Sequence, residues 1–282
     1  MQPRAERGDA SAASPGAAAW ADLSPPDQLC SRWQGPGGGG QGASDHPARG
    51  GGGSAADWIG ARLQPWSRGW LSVGRVVPTG FERYIRLLPP AWLGGVRQVR
   101  WSRVAQWSGK PLMAATFFSD LGTRQGGVRW LSMGTPPRAG QLDADVSSRL
   151  ASLLARFTAT PEMSWSCVWS GWGDIQDDKA SLINITPSIS ASGRRYARYR
   201  GSVRVMTALL GLGHAGRFQA PSFWWPSDRA WFVSTEIDSE STYMAGCDAL
   251  IRRLLGEPVL ETLAAALTDP FDGTHAGQEN RE

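Results

Sequence analysis

Histidine, lysine and cysteine are scarce in this 282-residue chain, and each shortage bears on a class of chemistry. The only histidines are His46, His214 and His275. Two of them fall in terminal segments expected to be disordered, so a histidine metal site or a Ser-His-Asp relay would rest on His214 alone. The cysteines, Cys30, Cys167 and Cys247, are odd in number and show no CxxC spacing. That argues against a disulfide framework, fits a reducing interior, and makes Cys167 and Cys247 expected inert buried thiols. No window approaches the roughly 18 apolar residues of a membrane span. The Ala17–Trp20 stretch is too short for a leader's apolar region, so a cytoplasmic location is the expectation. Gly211-Leu212-Gly213-His214-Ala215-Gly216 spells GxGxxG, but it follows no clear strand within a βαβ unit. No nucleotide loop, metal-ligand set or nucleophile constellation stands out, and no catalytic residue, metal or cofactor is expected.

Acidic residues are missing altogether between Asp178 and Asp228, while Lys179, Arg194, Arg195, Arg198, Arg200, Arg204 and Arg217 lie in that interval. The net charge of +4 understates this. Residues 1–54 and 256–282 are each net acidic, so the region between them carries the whole positive excess. A basic surface suits nucleic acid, anionic lipid or an acidic partner. Lys110 and Lys179 are the only lysines, and an arginine bias beside abundant Ala and Gly can also come from codon composition.

Three regions follow from composition. Residues 1–54 are rich in Gly, Ala and Pro without apolar periodicity and are expected to be a disordered tail. Residues 55–268 are expected to form a globular domain, and 269–282 a disordered acidic C-terminus. Within the domain, Asp57–Leu63 reads as a short helix. Thr79-Gly80-Phe81-Glu82 matches a capping box and predicts a helix burying Phe81, Ile85 and Leu88 before Pro89-Pro90 stops it. A strand is expected at Val99–Trp101, a helix capped by Ser102 through Trp107 and ended by Gly109, a strand near Leu112–Phe118, and a loop over Gly126–Gly140. Val146, Leu150, Leu153, Leu154 and Phe157 carry the spacing of an amphipathic helix.

Alternation at Met163, Trp165, Cys167 and Trp169 predicts a strand with that set inward. Weaker strands are expected at Ile183–Ile185 and Arg194–Arg200, and Val203–Leu210 leans to helix. Phe223-Trp224-Trp225 runs into the turn Pro226-Ser227-Asp228-Arg229. A strand follows, with Trp231, Val233, Thr235 and Ile237 on one face and Phe232, Ser234, Glu236 and Asp238 on the other. Thr242–Met244 is expected to pair with it. A helix after Gly246 places Leu250, Ile251, Leu254 and Leu255 inward, and Leu260–Leu267 reads as a last apolar helix. Helices and hairpins in mixed order without βαβ repeats predict an α+β class with a mainly antiparallel sheet.

Three candidate surfaces emerge. Trp224 and Trp225, beside Gly or Pro like Trp172, can line an exposed patch or pocket mouth together with Asp228, Arg229, Glu236 and Asp238. Those acids, with Glu240, can also hold a hard cation or serve acid-base chemistry; the plainer alternative is a solvated face pairing with upstream arginines. Arg194, Arg195, Arg198 and Arg200 interleave with Tyr196 and Tyr199, which suits a phosphate backbone with stacked bases or a charged edge strand that blocks sheet pairing. The chain contains 15 tryptophans, of which Trp165, Trp169 and Trp231 fall on inferred inward faces, so core packing is their expected use.

Val77-Pro78-Thr79-Gly80-Phe81-Glu82-Arg83-Tyr84, Val99-Arg100-Trp101-Ser102, and Trp225-Pro226-Ser227-Asp228-Arg229-Ala230-Trp231 running on through Thr235-Glu236-Ile237-Asp238 to Tyr243 together resemble a group of uncharacterised proteins of actinomycete-type bacteria. That group has no assigned activity, so the resemblance carries over no functional residues. Its helix-then-sheet layout is loosely similar to the SUKH immunity fold, whose members bind toxins or other proteins. The resemblance implies a non-enzymatic intracellular domain, immunity-like or regulatory, whose partner is another protein. The alternatives are a metal-dependent hydrolase on Asp228, Glu236 and Asp238, and a nucleic-acid binder on the Arg194–Arg204 strip.

Overall fold

Short runs of aromatic and β-branched residues separated by turn-forming residues make strands rather than helices, and this chain has many. The computed structural model describes residues 56–64, 72–122, 129–169, 171, 184–185, 196–204 and 220–271. Within them β1 (Arg83–Leu87), β2 (Ala91–Leu93), β3 (Arg97–Val99) and β4 (Gly134–Thr135) come before β5 (Ser164–Trp169). Then follow β6 (Asn184–Ile185), β7 (Tyr196–Gly201), β8 (Phe223–Pro226), β9 (Phe232–Ser234), β10 (Thr242–Gly246) and β11 (Thr262–Ala265). The helices are α1 (Asp57–Gly60), α2 (Trp101–Ser108), α3 (Phe118–Leu121), α4 (Ala144–Leu154) and α5 (Asp248–Leu255). Eight strands form one sheet in the order β11-β1-β10-β9-β8-β5-β7-β6, and β3-β2-β4 form a second. Every pairing in both sheets is antiparallel, so the class is α+β.

Both faces of the large sheet are covered in its central part. On one face Ile85, Leu87, Trp224, Val233 and Met244 pack under Leu150, Leu153 and Leu154 of α4 and Leu250, Ile251 and Leu254 of α5. On the other, Phe223, Trp225, Phe232, Tyr243 and Ala245 meet Trp58 and Ile59 of α1 and the 73–77 segment. A third cluster, with Leu88, Ala91, Trp101, Phe118, Leu121 and Trp130, joins the small sheet to α2 and α3. A buried Leu, Ile or Phe stabilises the fold by about 1.5–3 kcal/mol over its exposed state, so these layers supply the main driving force. Double coverage also explains why β8, β9 and β10 are buried at every position. The alternation expected over 231–238 does not divide core from solvent, and β9 ends at Ser234.

Several expected elements are corrected. The helix predicted over 80–88 is β1, hydrogen-bonded on both sides, to β10 and to β11. Ile85 and Leu87 meet the helical layer while Arg86 lies opposite Tyr243 on the other face, a period of two that the spacing of Phe81, Ile85 and Leu88 concealed. Glu82 does not close a capping box; its Oε2 accepts a hydrogen bond from the Asp248 N–H at 2.9 Å, at the start of α5. The last helix predicted over 260–267 is β11, because pairing with β1 overrides the helix propensity of its alanines. Leu112–Phe118 forms no strand, and the expected 126–140 loop holds a 3-10 turn and β4. The start of α2 is capped not by Ser102 but by Glu261, whose carboxylate accepts from the Trp101 and Ser102 N–H groups at 2.6 and 2.8 Å. The packed chain also runs past residue 268, since Phe271 is buried against Tyr243.

Other expectations match. α4 buries Leu150, Leu153 and Leu154, with Phe157 just beyond it. Gly109 ends α2 in the left-handed region at φ 73°, β10 pairs with β9, and α1 and α5 stand where helices were read. Leu255, expected inward, is 43% exposed. Val203 and Arg204 are helical, and the rest of the 203–210 segment lies outside the described residues. No helix among the described residues is long and apolar enough to cross a membrane.

Candidate functional site

The β8–β9 turn places the first group of candidate residues. Pro226 closes β8, and Arg229 sits in the left-handed region at φ 56°, the one non-glycine residue with positive φ among those described. The carboxylate of Asp228 holds this turn. Its Oδ1 accepts from Thr158 Oγ1 at 2.8 Å and from the Ala230 N–H at 3.2 Å, and its Oδ2 accepts from the Ala159 N–H at 2.7 Å. Asp228 therefore ties the turn to the chain leaving α4. The guanidinium of Arg229 lies 5.2 Å from the ring centre of Trp58, a cation–π contact that clamps α1 onto the sheet.

Trp224 and Trp225 are buried, at 2% and 1% exposure, which corrects the expectation of an exposed patch. Adjacent strand residues point to opposite faces, and here both faces are core. Trp224 meets Trp231 edge-on at 5.7 Å under α4, and Trp225 stacks on Phe232 at 6.0 Å and meets Trp58 at 6.2 Å.

Glu236 and Asp238 stand beyond the other end of β9, in the connection to β10. The Oε2 atom of Glu236 accepts from the Asp238 N–H at 2.7 Å, and the Glu236 carbonyl accepts from the Ser239 N–H at 3.0 Å. Beside them the hydroxyls of Thr235 and Thr242 are 2.9 Å apart, and the Gly140 N–H donates to the Ser239 carbonyl at 2.8 Å. Asp228 is thus separated from Glu236 and Asp238 by the length of β9, and the acids do not converge. Among the described residues no group of three or more His, Cys, Asp or Glu side chains is placed to hold a metal ion.

Of the basic strip, Arg194 and Arg195 lie outside the described residues, as do Trp172, His214 and the Gly211–Gly216 loop. Arg198 is 8% exposed, with its guanidinium 4.8 Å from the ring centre of Trp165, while Arg200 is exposed and lies 5.6 Å from the same ring. The two arginines share one tryptophan. Cys167, buried in the same layer, has its thiol pushed up to about 12 by burial, with Arg198 acting weakly in the other direction, so it is an inert thiol. Cys247 is disulfide-bonded, which corrects the expectation of a free thiol there.

Three features escaped the sequence reading. Arg86 is fully buried, donating from Nε to Ser241 Oγ at 2.9 Å and from Nη1 to the Ala114 and Thr116 carbonyls at 2.7 and 2.8 Å. Glu257 bridges the helices, its Oε2 lying 2.8 Å from both Arg149 of α4 and Arg253 of α5. The third is the outer edge of β11, which borders an open groove of about 1120 Å³ lined by Tyr84, Ile251, Arg252, Leu255, Ala264 and Ala266. A periodicity search carries no signal for any of them, since each depends on which strand or helix lies alongside.

Comparisons with family models, curated proteins and solved structures return no match.

Proposed function

We propose that this chain is a protein-binding domain that accepts an added strand along β11. The carrying observation is that Thr262 and Ala264 on this edge strand turn backbone N–H and C=O groups away from β1, and that Ala264 lines one groove with the exposed Leu255. Unpaired strand edges are a standard route to recognition by main-chain hydrogen bonding, with neighbouring apolar side chains adding affinity. The resemblance to SUKH immunity proteins read from the sequence implies the same kind of role.

Less favours the alternatives. A hydrolase built on Asp228, Glu236 and Asp238 needs these acids in one cleft, whereas they are held at opposite ends of β9. A nucleic-acid strip needs accessible guanidiniums, and Arg198 is buried with its guanidinium against the Trp165 ring. A cytoplasmic location belongs to the same proposal, and a Cys247 disulfide persisting in cells would speak against it.

The test is capture of partners from the source cell by the full chain and by its Ala264→Pro variant. A protein held by the wild type and lost by the variant supports strand addition at β11. Equal capture by both removes β11 as the surface. Retention of polyanions with a steep salt dependence moves the reading to nucleic acid.

A further inference from the structure

The β11 edge is closed at both ends. Leu88 N–H donates to the Glu261 carbonyl at 2.8 Å, and Tyr84 stands opposite Ala265 and Arg86 opposite Leu263. In an antiparallel ladder this phase turns the polar groups of Glu261, Leu263 and Ala265 toward β1, and those of Thr262, Ala264 and Ala266 outward. Ala266 is already taken: its N–H donates to Asp269 Oδ2 at 2.8 Å and its carbonyl accepts from the Asp269 N–H at 3.1 Å. At the other end the Leu260 N–H is bonded to the Glu257 carbonyl at 3.2 Å. Among the described residues the open outward groups are therefore those of Thr262 and Ala264, placed symmetrically about Leu263.

We infer that this edge pairs with the same edge of a second copy of the chain, antiparallel and centred on Leu263, joining two sheets across a two-fold axis. The inference rests on the reading of β11 as a strand-accepting edge and names its partner. A self-pair centred on Thr262 sets Ala264 opposite Leu260, whose N–H is already bonded. One centred on Ala264 sets Thr262 opposite Ala266, which Asp269 closes. Only the pair centred on Leu263 sets Thr262 opposite Ala264 in both directions, so that every open donor meets an open acceptor.

Charge does not oppose this register. Glu261 falls opposite Ala265 of the second copy, and its carboxylate is already bound to the start of α2. A two-fold axis normal to the sheet also keeps the helical layers of the two copies on one side. The exposed Leu255, which lines one groove with Ala264 and Ala266, then lies next to the join, adding apolar area that an isolated peptide strand does not bring. Without a partner, the same features leave an edge strand, Thr262–Ala265, that carries no charged residue and that no strand among the described residues covers.

Sedimentation of the full chain over a concentration series tests this, together with amide exchange at Thr262 and Ala264. The expected result is a dimer with both amides protected. In Ala264→Pro the substituted N–H is an outward one, so no bond within the chain is lost; dimerisation should weaken by roughly tenfold or more with the circular dichroism unchanged. Leu255→Glu, which leaves β11 intact, should weaken it too and covers the case in which the proline variant fails to fold. A wild type that is monomeric at about 1 mM overturns the inference. If that monomer captures another protein in an Ala264-dependent way, the strand-accepting reading survives with a different partner; if it captures none, that reading falls as well. A dimer indifferent to both substitutions uses another surface and also overturns the inference.

Discussion

Asp228 separates a structural account of the β8–β9 turn from a catalytic one, because Asp228→Ala removes one side chain and three hydrogen bonds together. A hydrogen bond to a charged group contributes about 1.5–3 kcal/mol net, and a neutral one about 1. The contacts with Thr158 Oγ1 and the Ala159 N–H are short, at 2.8 and 2.7 Å, and that with the Ala230 N–H is longer, at 3.2 Å. Ala159 is exposed, so its freed N–H regains water and the loss sits near the low end of the range. The expected destabilisation is about 3 kcal/mol, or roughly 6–12 °C in Tm for a domain of this size. Urea unfolding followed by tryptophan fluorescence gives the number, and an unchanged m-value shows that the loss lies in the native state.

Two controls sharpen the reading of Asp228. Asp228→Asn keeps one acceptor but turns an amide NH2 group against the Ala159 N–H, so it should recover no more than about half of the loss. A double-mutant cycle with Thr158→Ala should give a coupling of about 1 kcal/mol. If Asp228→Ala stays within about 0.5 kcal/mol of the wild type, the clasp is not what holds Asp228, and the carboxylate is available again for binding or proton transfer.

Burial pushes Glu257 up, but the Arg149 and Arg253 guanidiniums together hold its carboxyl below the usual range. A depressed folded value stabilises above the unfolded pKa of about 4.3 and loses that stability as pH falls through the folded one. Glu257→Gln should therefore cost about 2 kcal/mol at neutral pH, less than for a fully buried pair because both arginines reach water, and should flatten the acid limb of a stability–pH curve. Asp143 has the opposite sign: burial raises it first, with Asp145 adding and Arg138 opposing, so its ionised form costs the folded state. Asp143→Asn should gain about 0.5 kcal/mol at pH 7 in urea titrations, and the gain should vanish below about pH 3, where both folded and unfolded Asp143 are protonated. Gly140 has φ 67°, and a β-carbon there would lie 2.7 Å from Ile237 Cα. Gly140→Ala should lower stability by about 2 kcal/mol or more by thermal melting, and an unchanged Tm would refute the close approach.

What could be read from the sequence followed from how many faces of an element are buried. α4 stood out because one face is core and the other solvent, so Leu150, Leu153 and Leu154 keep helical spacing against polar neighbours. β9 and β10 were legible as strands, while β8 was read only as an aromatic run before a turn, and the orientation of none of them was legible, since a strand buried on both faces carries no alternation. That is why Trp224 and Trp225 read as candidates for exposure. β1 and β11 failed for another reason: Ile85, Leu88 and the alanines of 264–266 fit a helix locally, and only strands distant in sequence decide otherwise. Asp228 was read correctly as a turn residue, but Glu236 and Asp238 were read as strand residues, and they lie past the end of β9 because that strand stops at Ser234.

Where both faces of a sheet are covered, its polar potential survives only at the edges and in the turns. In the turns of this sheet it is largely used: Asp228 serves the turn before β9 and Glu236 the one after it. The two glutamates with the longest reach along the sequence, Glu82 and Glu261, are bound to the starts of α5 and α2. Arg86, buried in β1, is bound to Ser241 and to two carbonyls. The central meander is therefore a scaffold whose charged residues have been drawn into holding it together. Among the described residues, the groups that this scaffold leaves over along β11 are the backbone of Thr262 and Ala264, with Leu255 in the same groove as Ala264, and these are the groups that the proposed strand addition uses.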